Sequence, residues 1–425
     1  MANKQLGDVC EFINGGAWKE TEYSDSGIHV VKVTNIVAGE IVKRQDDSFL
    51  PDSKYDRYQT HELREGDIVV ATVGSHPTQP GSVVGRTTRV NRTFAGSFLN
   101  QNAVCLRFPE GGEVCSEYFA YLTKTVLFKH HIESRAKGSA NQVRMGIGEL
   151  KKFGHSFPTL SVQRKIAAVL RAYDDLIENN KRRITLLENM AEEIYREWFV
   201  RFRFPGWQEA EFEKGLPVNW QAVGLGQIAK FVMGQSPKSE FYNRNGDGLP
   251  FHQGVGTFGK RFPTNDIYCS VTGREAKAGD VLFSVRAPVG RLNIALERLV
   301  IGRGLAAVRH HRDCQSYLYY LLSTAFSNED IIGNGAIFNA VGKDELLSFK
   351  VLSPSGELVD AFEKLVRPID DQISGLIRQN EVLEKTKNEL LPRLISGKLS
   401  VENLDIQFPP SMQTDSSNSA DEAAA

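Results

Sequence analysis

The sequence predicts an α+β protein in which two mixed α/β domains, with mainly antiparallel and twisted sheets, are separated by two long helices that pair as an antiparallel coiled coil. One observation behind this prediction is a tandem repeat across nearly the whole chain, which implies pseudo-twofold symmetry. Another is heptad hydrophobic spacing sustained over two stretches of roughly forty residues. The third is a series of short β-type runs, punctuated by Gly, Asn and Pro, before each helical stretch.

The repeat consists of matching segments that occur in the same order in both halves of the chain. Each copy then enters a helical stretch that opens with a hydrophobe and two Asp, "YDD" at Tyr173 and "IDD" at Ile369. Each match is weak, but the occurrence of all of them in the same order indicates that one half of the chain is a duplicate of the other. The segments are "LGDVCEFINGG" (6–16) with "LGQIAKFVMGQ" (225–235), "EYSDSGIHVV" (22–31) with "NRNGDGLPFH" (243–252), "LREGDIVVATVG" (63–74) with "AKAGDVLFSVRAPVG" (276–290), and "GSANQVRMGIGELKKFGHSFP" (138–158) with "GAIFNAVGKDELLSFKVLSP" (335–354).

The repeat divides the 425 residues into five segments. They are a first globular domain (1–157), a central long helix (158–204), a second globular domain (205–353), a C-terminal long helix (354–405) and a tail (406–425). Within the domains, "SEYFAYLTKTVLFKHHI" and "SYLYYLLSTAF" predict short helices, and "FVRFRFPGW" (199–207) predicts a short strand after the central helix. The tail is polar and rich in small residues, so we expect it to be disordered.

Hydrophobic residues recur in alternating steps of four and three along both helical stretches. Nine of ten such seam positions from Ile166 to Trp198 are apolar, and eight of ten from Phe362 to Leu394. Each helix would be roughly 50–60 Å long, too long for its own domain to cover, so each stripe needs another helix. In one antiparallel register the residue numbers of each facing pair sum to 560. This register places the polar seam residues Asn180 and Asn380 opposite each other, and their contact would fix the alignment of the helices. The register residues are Asn180 with Asn380, Ile177 with Leu383, Trp198 with Phe362, and Tyr173 beside Lys387.

Two other arrangements of the helices are open: each helix could pack on its own domain, or the chain could form homodimers. Lys387 places a cation on the seam. Its side chain is predicted either to snorkel beside Tyr173 or to face a partner.

Composition excludes several classes of protein. The net charge is −1, and no apolar run approaches the ~20 residues that a membrane span needs. The five Cys are odd in number, scattered and without a C-x-x-C pair, which predicts reduced thiols in a cytoplasmic protein and argues against structural zinc. We find no phosphate-binding loop, no dinucleotide fingerprint after a strand and no metal spacing among the nine His, so we expect no catalytic residues and no metal site.

Charge is nevertheless unevenly distributed along the chain. Residues 68–109 contain no Asp or Glu but several Arg, and residues 286–312 contain six Arg against Glu297 alone. Two such segments, one in each copy, suggest local basic surfaces, although Arg dispersed around each domain would give the same composition. Two similar modules at a fixed distance suit a linear ligand with two separated sites, such as duplex DNA.

The helical regions and the repeat resemble the specificity subunit of a type I restriction–modification enzyme. The resemblance rests on "FPTLSVQRKIAAVLRAYDDLIENNKRRITLLENMAEEIYREWFVRFRFPG" (157–206) and "LEKTKNELLPRLISGKLSVENL" (383–404), with the "LG-x-[DQ]-[IV]" openings and "GD-[IV]" turns. It implies that the globular domains are target recognition domains, each reading half of a bipartite, asymmetric site in double-stranded DNA, and that the helices set the spacer. It also implies two methyltransferase subunits and two restriction/translocase subunits as partners, which would carry S-adenosylmethionine, ATP and Mg²⁺.

Candidate DNA-contacting residues follow from residue type and position in the repeat. Arg pairs with guanine, Asn and Gln with adenine, and cations with phosphates. We predict contacts from Arg86, Arg89, Arg92, Asn100, Gln101, Asn102, Arg135, Lys137, Ser139, Asn141, Gln142 and Arg144 in the first domain, and from Gln253, Arg286, Arg291, Arg303, Asn334 and Asn339 in the second. For each one, a solvated or salt-bridged surface side chain is the alternative.

The charged face of the central helix is the predicted docking face for partner subunits, with an ordinary solvated face as the alternative. Its residues are Arg182, Arg183, Glu192, Glu193 and Arg196. Two other functions remain to be separated from DNA recognition. A single-chain nuclease or methyltransferase would need the motifs that are missing, and a coiled-coil scaffold without DNA binding would not need duplicated Arg-bearing domains.

Overall fold

The computed structural model describes residues 3–75, 78, 82–139, 142–326 and 340–412. The chain forms two compact units, each containing one globular domain and part of both long helices. The first unit comprises Met1–Asn179 and Asn380–Ala425, and the second comprises Asn180–Gln379.

In the first unit, the central sheet has four antiparallel strands in the order Glu11–Asn14, Ala103–Arg107, Ile68–Ala71 and Thr87–Arg89. A second sheet pairs Ile28–Val31 with Ser48–Leu50 and, in parallel, with Phe98–Leu99. Smaller sheets are formed by Asn3–Gln5 with Gly154–Ser156, by Ile36–Val37 with Glu40–Ile41, and by Lys137–Ser139, Gln142–Arg144 and Val73–Gly74. The helices are Leu6–Val9, Tyr55–Tyr58, Ser116–Leu122, Val126–Arg135 and Ile147–Lys151.

The second unit repeats this plan. Its central sheet has the order Ala229–Met233, Leu305–His310, Val281–Ser284 and Leu292–Ile294, and all its pairs are antiparallel. The second sheet joins Leu249–His252 in parallel to Leu299–Ile301, flanked by Tyr268–Cys269, Tyr242–Asn243 and Glu275–Ala276. Gln221–Gly224 pairs with Lys350–Ser353, and Phe212–Glu213 with Leu216–Pro217. The helices are Leu225–Ile228, Gln315–Ala325 and Lys343–Ser348.

An ion pair at the same place in each central sheet explains the repeated "GD" turn. In the first unit Arg107 binds Asp67 with Nε to Oδ1 at 3.0 Å and Nη2 to Oδ2 at 2.7 Å. In the second unit Arg309 Nε binds Asp280 Oδ1 at 2.6 Å. Both carboxylates also accept a backbone N–H three residues upstream at 2.7 Å. The aspartate therefore closes the turn and fastens it to the neighbouring strand.

The predicted long helices are present as Leu160–Tyr195 and Gly356–Ile395. All twenty predicted seam positions are buried or half-buried, because the apolar stripe of each helix is covered within each unit. The predicted α+β class is thereby confirmed, with the two parallel strand pairs as its departure from purely antiparallel sheets. The central helix ends in a π-turn, Arg196–Val200, and residues 201–206 form no strand, so the predicted strand after the helix is wrong.

The helices pack antiparallel inside each unit. In the first unit Asn380 Nδ2 donates to the Ile177 carbonyl at 3.5 Å, while Ile166 and Leu170 share a core with Leu391 and Leu394. In the second unit Asn180 Nδ2 donates to Gln379 Oε1 at 3.1 Å, and the Trp198 and Phe362 rings lie 5.8 Å apart as predicted. Both asparagine amides are thus bonded within their own unit, and the contact between them stays a prediction, as does that of Ile177 with Leu383.

The tail begins with an ordered segment. Ile406 and Met412 pack against the core of the first unit, and the Ser411 hydroxyl hydrogen-bonds the Asp175 carboxylate. The disorder predicted from residue 406 therefore does not apply to residues 406–412. Residues 413–425 lie outside the described residues.

Candidate nucleic-acid interface

The repeated Asp of the two helical openings anchors each domain to its helix. In the first unit Tyr121 Oη donates to Asp174 Oδ2 at 2.7 Å, and in the second Tyr320 Oη donates to Asp370 Oδ1 at 3.1 Å. Asp370 lies 196 positions after Asp174, the offset that separates Ile369 from Tyr173. The two contacts are therefore the same contact in the two copies.

The cation that neutralises this Asp differs between the copies. In the first unit it is Lys387, whose Nζ lies 2.6 Å from Asp174 Oδ1, an ion pair that neither of the two alternatives predicted for this lysine had included. In the second unit it is the buried Arg261, which binds Asp370 and lies 4.6 Å above the Tyr319 ring. Each domain is thereby held on its helix by a charged, hydrogen-bonded contact.

A loop at the end of the parallel strands carries predicted residues in both domains. In the first domain Asn100 N donates to the Val31 carbonyl at 3.0 Å, and in the second Gly302 N donates to the His252 carbonyl at 2.8 Å. These bonds make residues 100–102 equivalent to residues 302–304, so Gln101 corresponds to Arg303. Both side chains are exposed.

A close backbone approach fixes the position of this loop in each domain. A Cβ on Gly15 would lie 1.9 Å from the Asn100 carbonyl oxygen, and a Cβ on Gly234 would lie 2.1 Å from that of Gly302. Only glycine allows this approach, which explains the matched glycines of "FINGG" and "FVMGQ". In the second domain the exposed Gln253 joins the loop, because its Oε1 accepts a hydrogen bond from Ser236 Oγ at 2.8 Å.

A short strand continues the interface away from this loop. In the first domain Thr72 N donates to the Asn102 carbonyl, and the next residue, Val73, pairs with Arg144. In the second domain Val285 N donates to the Gly304 carbonyl, and the next residue, Arg286, bridges to Ala340. In each domain we call these hydrogen-bonded segments the polar edge. It comprises Asn100–Asn102, Thr72–Gly74, Lys137 and Arg144 in the first domain, and Gln253, Gly302–Gly304, Val285, Arg286 and Ala340 in the second.

The polar edge gathers many of the predicted DNA-contacting residues. Arg135 precedes it and lies 3.7 Å from the Glu149 carboxylate, and the exposed Arg291 follows the turn after Arg286. Ser139 and Gln142 lie in the strands that contain Lys137 and Arg144. Asn141, Asn334 and Asn339 fall outside the described residues.

Three predicted arginines are not among the residues of the polar edge. The Arg86 guanidinium donates to the carbonyls of Ser82 and Ile36 at 2.9 and 3.1 Å, and Arg89 lies 3.5 Å from Glu117. These contacts favour a structural role for both. Arg92 is exposed on a turn, and within the described residues it forms no ion pair.

Comparison with known proteins identifies the family. Residues 1–189 match the model of the type I restriction modification DNA specificity domain. The chain is 28% identical over 404 residues to a Methanocaldococcus jannaschii protein named as the type I restriction enzyme MjaX specificity subunit, with 94% of this chain and 93% of that protein covered. It is also 28% identical over 318 residues to the MjaIX specificity subunit of that organism, covering 70% and 72%. Along most of its length the chain is therefore similar to type I restriction–modification specificity subunits.

A solved structure supports the fold of this chain. The crystal structure of the type I restriction-modification system S subunit from M. genitalium superposes with a TM-score of 0.61 at 16% identity, over 92% of this chain and 95% of that one. DNA recognition without catalysis is the role that this likeness supports. Among the described residues, His, Cys, Asp and Glu form no cluster that could hold a metal ion. Within the same residues, no helix is long and apolar enough to cross a membrane.

Lys32 follows Val31, the residue bonded to Asn100 of the polar edge, and it is absent from the contacts predicted from the sequence. It follows Val31 as Gln253 follows His252, and the alignment of residues 22–31 with 243–252 already contained this signal. The Lys32 ammonium is half-buried, bonded to Ser48 Oγ at 2.6 Å. Lys32 and Gln253 therefore occupy equivalent positions with different side chains, as Gln101 and Arg303 do.

The predicted docking face of the central helix is exposed. Arg196 pairs with Glu192 at 2.6 Å and with Glu193 at 3.5 Å, so these charges largely satisfy one another. Arg182 and Arg183 lie on the same exposed surface. The structure adds an apolar feature there, because Leu186 is 68% exposed.

Proposed function

We propose that each domain of this specificity subunit reads one half of a bipartite, asymmetric DNA site, and that the long helices set the unspecified spacer between the halves. The observation that carries the proposal is the polar edge, whose backbone hydrogen bonds recur in both domains. The exposed side chains on it differ, with Gln101 in one domain where Arg303 stands in the other. Gln suits adenine and Arg suits guanine, so one scaffold with two sets of side chains suits two different half-sites.

The charge environment of the loop supports base reading in the second domain. Gln253 and Arg303 meet at Ser236, whose hydroxyl donates to Gln253 Oε1 and accepts from Arg303 N at 3.2 Å. Three other arginines of the 286–312 segment are occupied elsewhere, since Arg298, Arg309 and Arg312 pair with Glu275, Asp280 and Asp360. Arg303 forms no ion pair within the described residues, which leaves its guanidinium available for a ligand.

The specificity subunit would act with partners in the cytoplasm. Two methyltransferase subunits and two restriction/translocase subunits would supply S-adenosylmethionine, ATP and Mg²⁺ and carry out the reactions. Leu186 on the central helix and Val382 on the C-terminal helix support docking of two copies of one partner. They stand 196 positions apart, as Tyr173 and Ile369 do, and are 68% and 64% exposed. Large apolar side chains at equivalent exposed positions mark an interaction surface.

Changing the loop of one domain tests the assignment of half-sites. The full chain would be expressed with its methyltransferase subunit, and methylated sites would be sequenced for the wild type, Gln101→Ala, and the pair Gln253→Ala and Arg303→Ala. We expect Gln101→Ala to relax bases in one half of the site, and the second-domain variants to relax bases in the other. Arg298→Ala is the matched control, because Arg298 is exposed but paired with Glu275. Relaxation of both halves by one variant would contradict the proposal.

A further inference from the structure

The two domains carry an arginine at the same strand pair, but on opposite strands. In the first domain the pair is Val73 with Arg144, and Met145 N donates to the Thr72 carbonyl beside it at 2.8 Å. In the second domain the pair is Arg286 with Ala340, and Val341 N donates to the Val285 carbonyl at 2.9 Å. The flanking hydrogen bonds show that Val73 corresponds to Arg286 and Arg144 to Ala340. The positive charge is thus kept at this place while the residue that carries it moves across the pair.

Both arginines are exposed and available to an anion. Among the described residues neither Arg144 nor Arg286 forms an ion pair or a side-chain hydrogen bond. In the first domain Lys137 lies directly opposite Arg144 on the next strand, and it is exposed too. Like charges directly opposite each other on neighbouring strands are destabilising, so the arrangement favours an anionic ligand that bridges them.

We propose that Arg144 with Lys137, and Arg286, are positioning residues that hold DNA phosphates at equivalent places in the two domains. This inference rests on the proposed function, and it divides the polar edge into two parts. The loop of Gln101 in the first domain, and of Gln253 and Arg303 in the second, reads bases, and the adjoining strand pair fixes the register of the backbone. Phosphate contacts position a protein on the duplex without carrying sequence information.

The exchange of strands favours a phosphate over a base edge. A base contact by arginine needs a fixed bidentate approach to guanine O6 and N7. Moving the guanidinium to the opposite strand keeps the charge in place but changes its direction of approach. A phosphate accepts hydrogen bonds from many directions, so it tolerates this exchange, whereas a base edge does not.

The salt dependence of DNA binding tests the assignment. The full chain in complex with its methyltransferase subunit would be titrated with cognate and random duplexes between 50 and 200 mM salt. Each phosphate contact contributes about 0.9 to the slope of log K against log salt, which is roughly 3.5-fold in affinity over this range. We expect Arg144→Ala and Arg286→Ala each to reduce the magnitude of the slope by about 0.9, the contribution of one phosphate contact. Each variant should also lower the affinities for the cognate and the random duplex by the same factor. Arg144→Lys should keep the slope, because a phosphate accepts either cation.

The controls separate this inference from the proposed function. Gln101→Ala should weaken cognate DNA alone with an unchanged slope, and Arg298→Ala should leave both quantities unchanged. An unchanged slope in Arg144→Ala and Arg286→Ala, with salt-dependent binding by the wild type, would overturn the phosphate assignment and leave the proposed function standing. A change of base preference by either variant would overturn it as well. Wild-type binding that does not fall with salt would overturn the proposed function itself.

Discussion

Replacing Asp370 with Ala removes the anion from a buried ion pair and leaves the cation in place. Arg261 is 2% exposed at its side chain and Asp370 14%, so little solvent reaches either group. The carboxylate also accepts the Tyr320 hydroxyl at 3.1 Å. In Asp370→Ala the guanidinium would remain buried against the Tyr319 ring with its charge uncompensated, and the hydroxyl would lose its acceptor.

The free energy of unfolding of the second unit should fall strongly in this variant. Breaking a buried pair by removing one partner costs about 3–5 kcal/mol, because the remaining charge is desolvated. With a urea m-value of about 2 kcal/mol/M, the midpoint of unfolding should fall by roughly 1.5–2.5 M. Tryptophan fluorescence follows this transition, since Trp198, Trp207 and Trp220 lie in the second unit and Trp18 in the first.

Two control variants show whether the buried charge is the cause. In the first unit Asp174 is 27% exposed and its partner Lys387 19%, so Asp174→Ala should cost less than Asp370→Ala. The double variant Arg261→Met with Asp370→Leu removes both charges and should recover most of the lost stability. An Asp370→Ala midpoint equal to the wild type, or a double variant no more stable than the single one, would show that the buried charge is not what destabilises the protein.

Two further predictions concern the first unit and the partner surface. Burial opposes ionisation of Asp174, but hydrogen bonds from Lys387 and Tyr121 outweigh it, so the pKa of this carboxyl is lowered in the folded protein. The ionised carboxylate should therefore stabilise the folded protein fully above the unfolded pKa of about 3.9, and this stabilisation should be lost as pH falls through the folded pKa. The urea midpoints of the wild type and Asp174→Asn should accordingly differ most near pH 7 and converge below about pH 4. A gap that stays constant with pH would contradict this. Leu186→Asp and Val382→Asp should each release methyltransferase subunit in analytical ultracentrifugation without changing the affinity of the free chain for DNA, whereas full retention of the partner by both variants would exclude this surface.

The helices could be predicted because their signal is local. The heptad spacing lies within each stretch, and all the seam positions predicted from it are buried or half-buried. The reason for the repeated Asp could not be predicted in the same way. Its partners Tyr121 and Arg261 lie 53 and 109 positions from Asp174 and Asp370, and sequence spacing gives no information on contacts at such separations.

Composition was a weaker guide to the candidate site than position in the repeat. The segment 68–109 lacks acidic residues, yet its Arg107 pairs with Asp67, which stands immediately before the segment. Arg86 is bonded to backbone carbonyls that no charge count can reveal. Gln253 could be chosen because it follows the matched segment 243–252, and Lys32 could have been chosen by the same reasoning. Gln101 and Arg303 were predicted from residue type, and their equivalence depends on the backbone hydrogen bonds.

The exchange of arginine between strands was outside the reach of sequence analysis. Arg144 and Arg286 were each predicted from residue type, but they do not align with one another in the repeat. Their equivalence depends on the register of Val73 with Arg144 and of Arg286 with Ala340. Strand register is a tertiary property, so the shared position of the two charges became visible only in the folded chain.

The methylated sequence in DNA from cells that contain this subunit and its methyltransferase gives the most direct test of the two-domain account. Sequencing of modified bases should reveal two short and different half-sites separated by a fixed number of unspecified bases, and the modification should disappear when the subunit is deleted. A single continuous motif, or modification that persists without the subunit, would contradict the claim that two equivalent domains each read one half of the site.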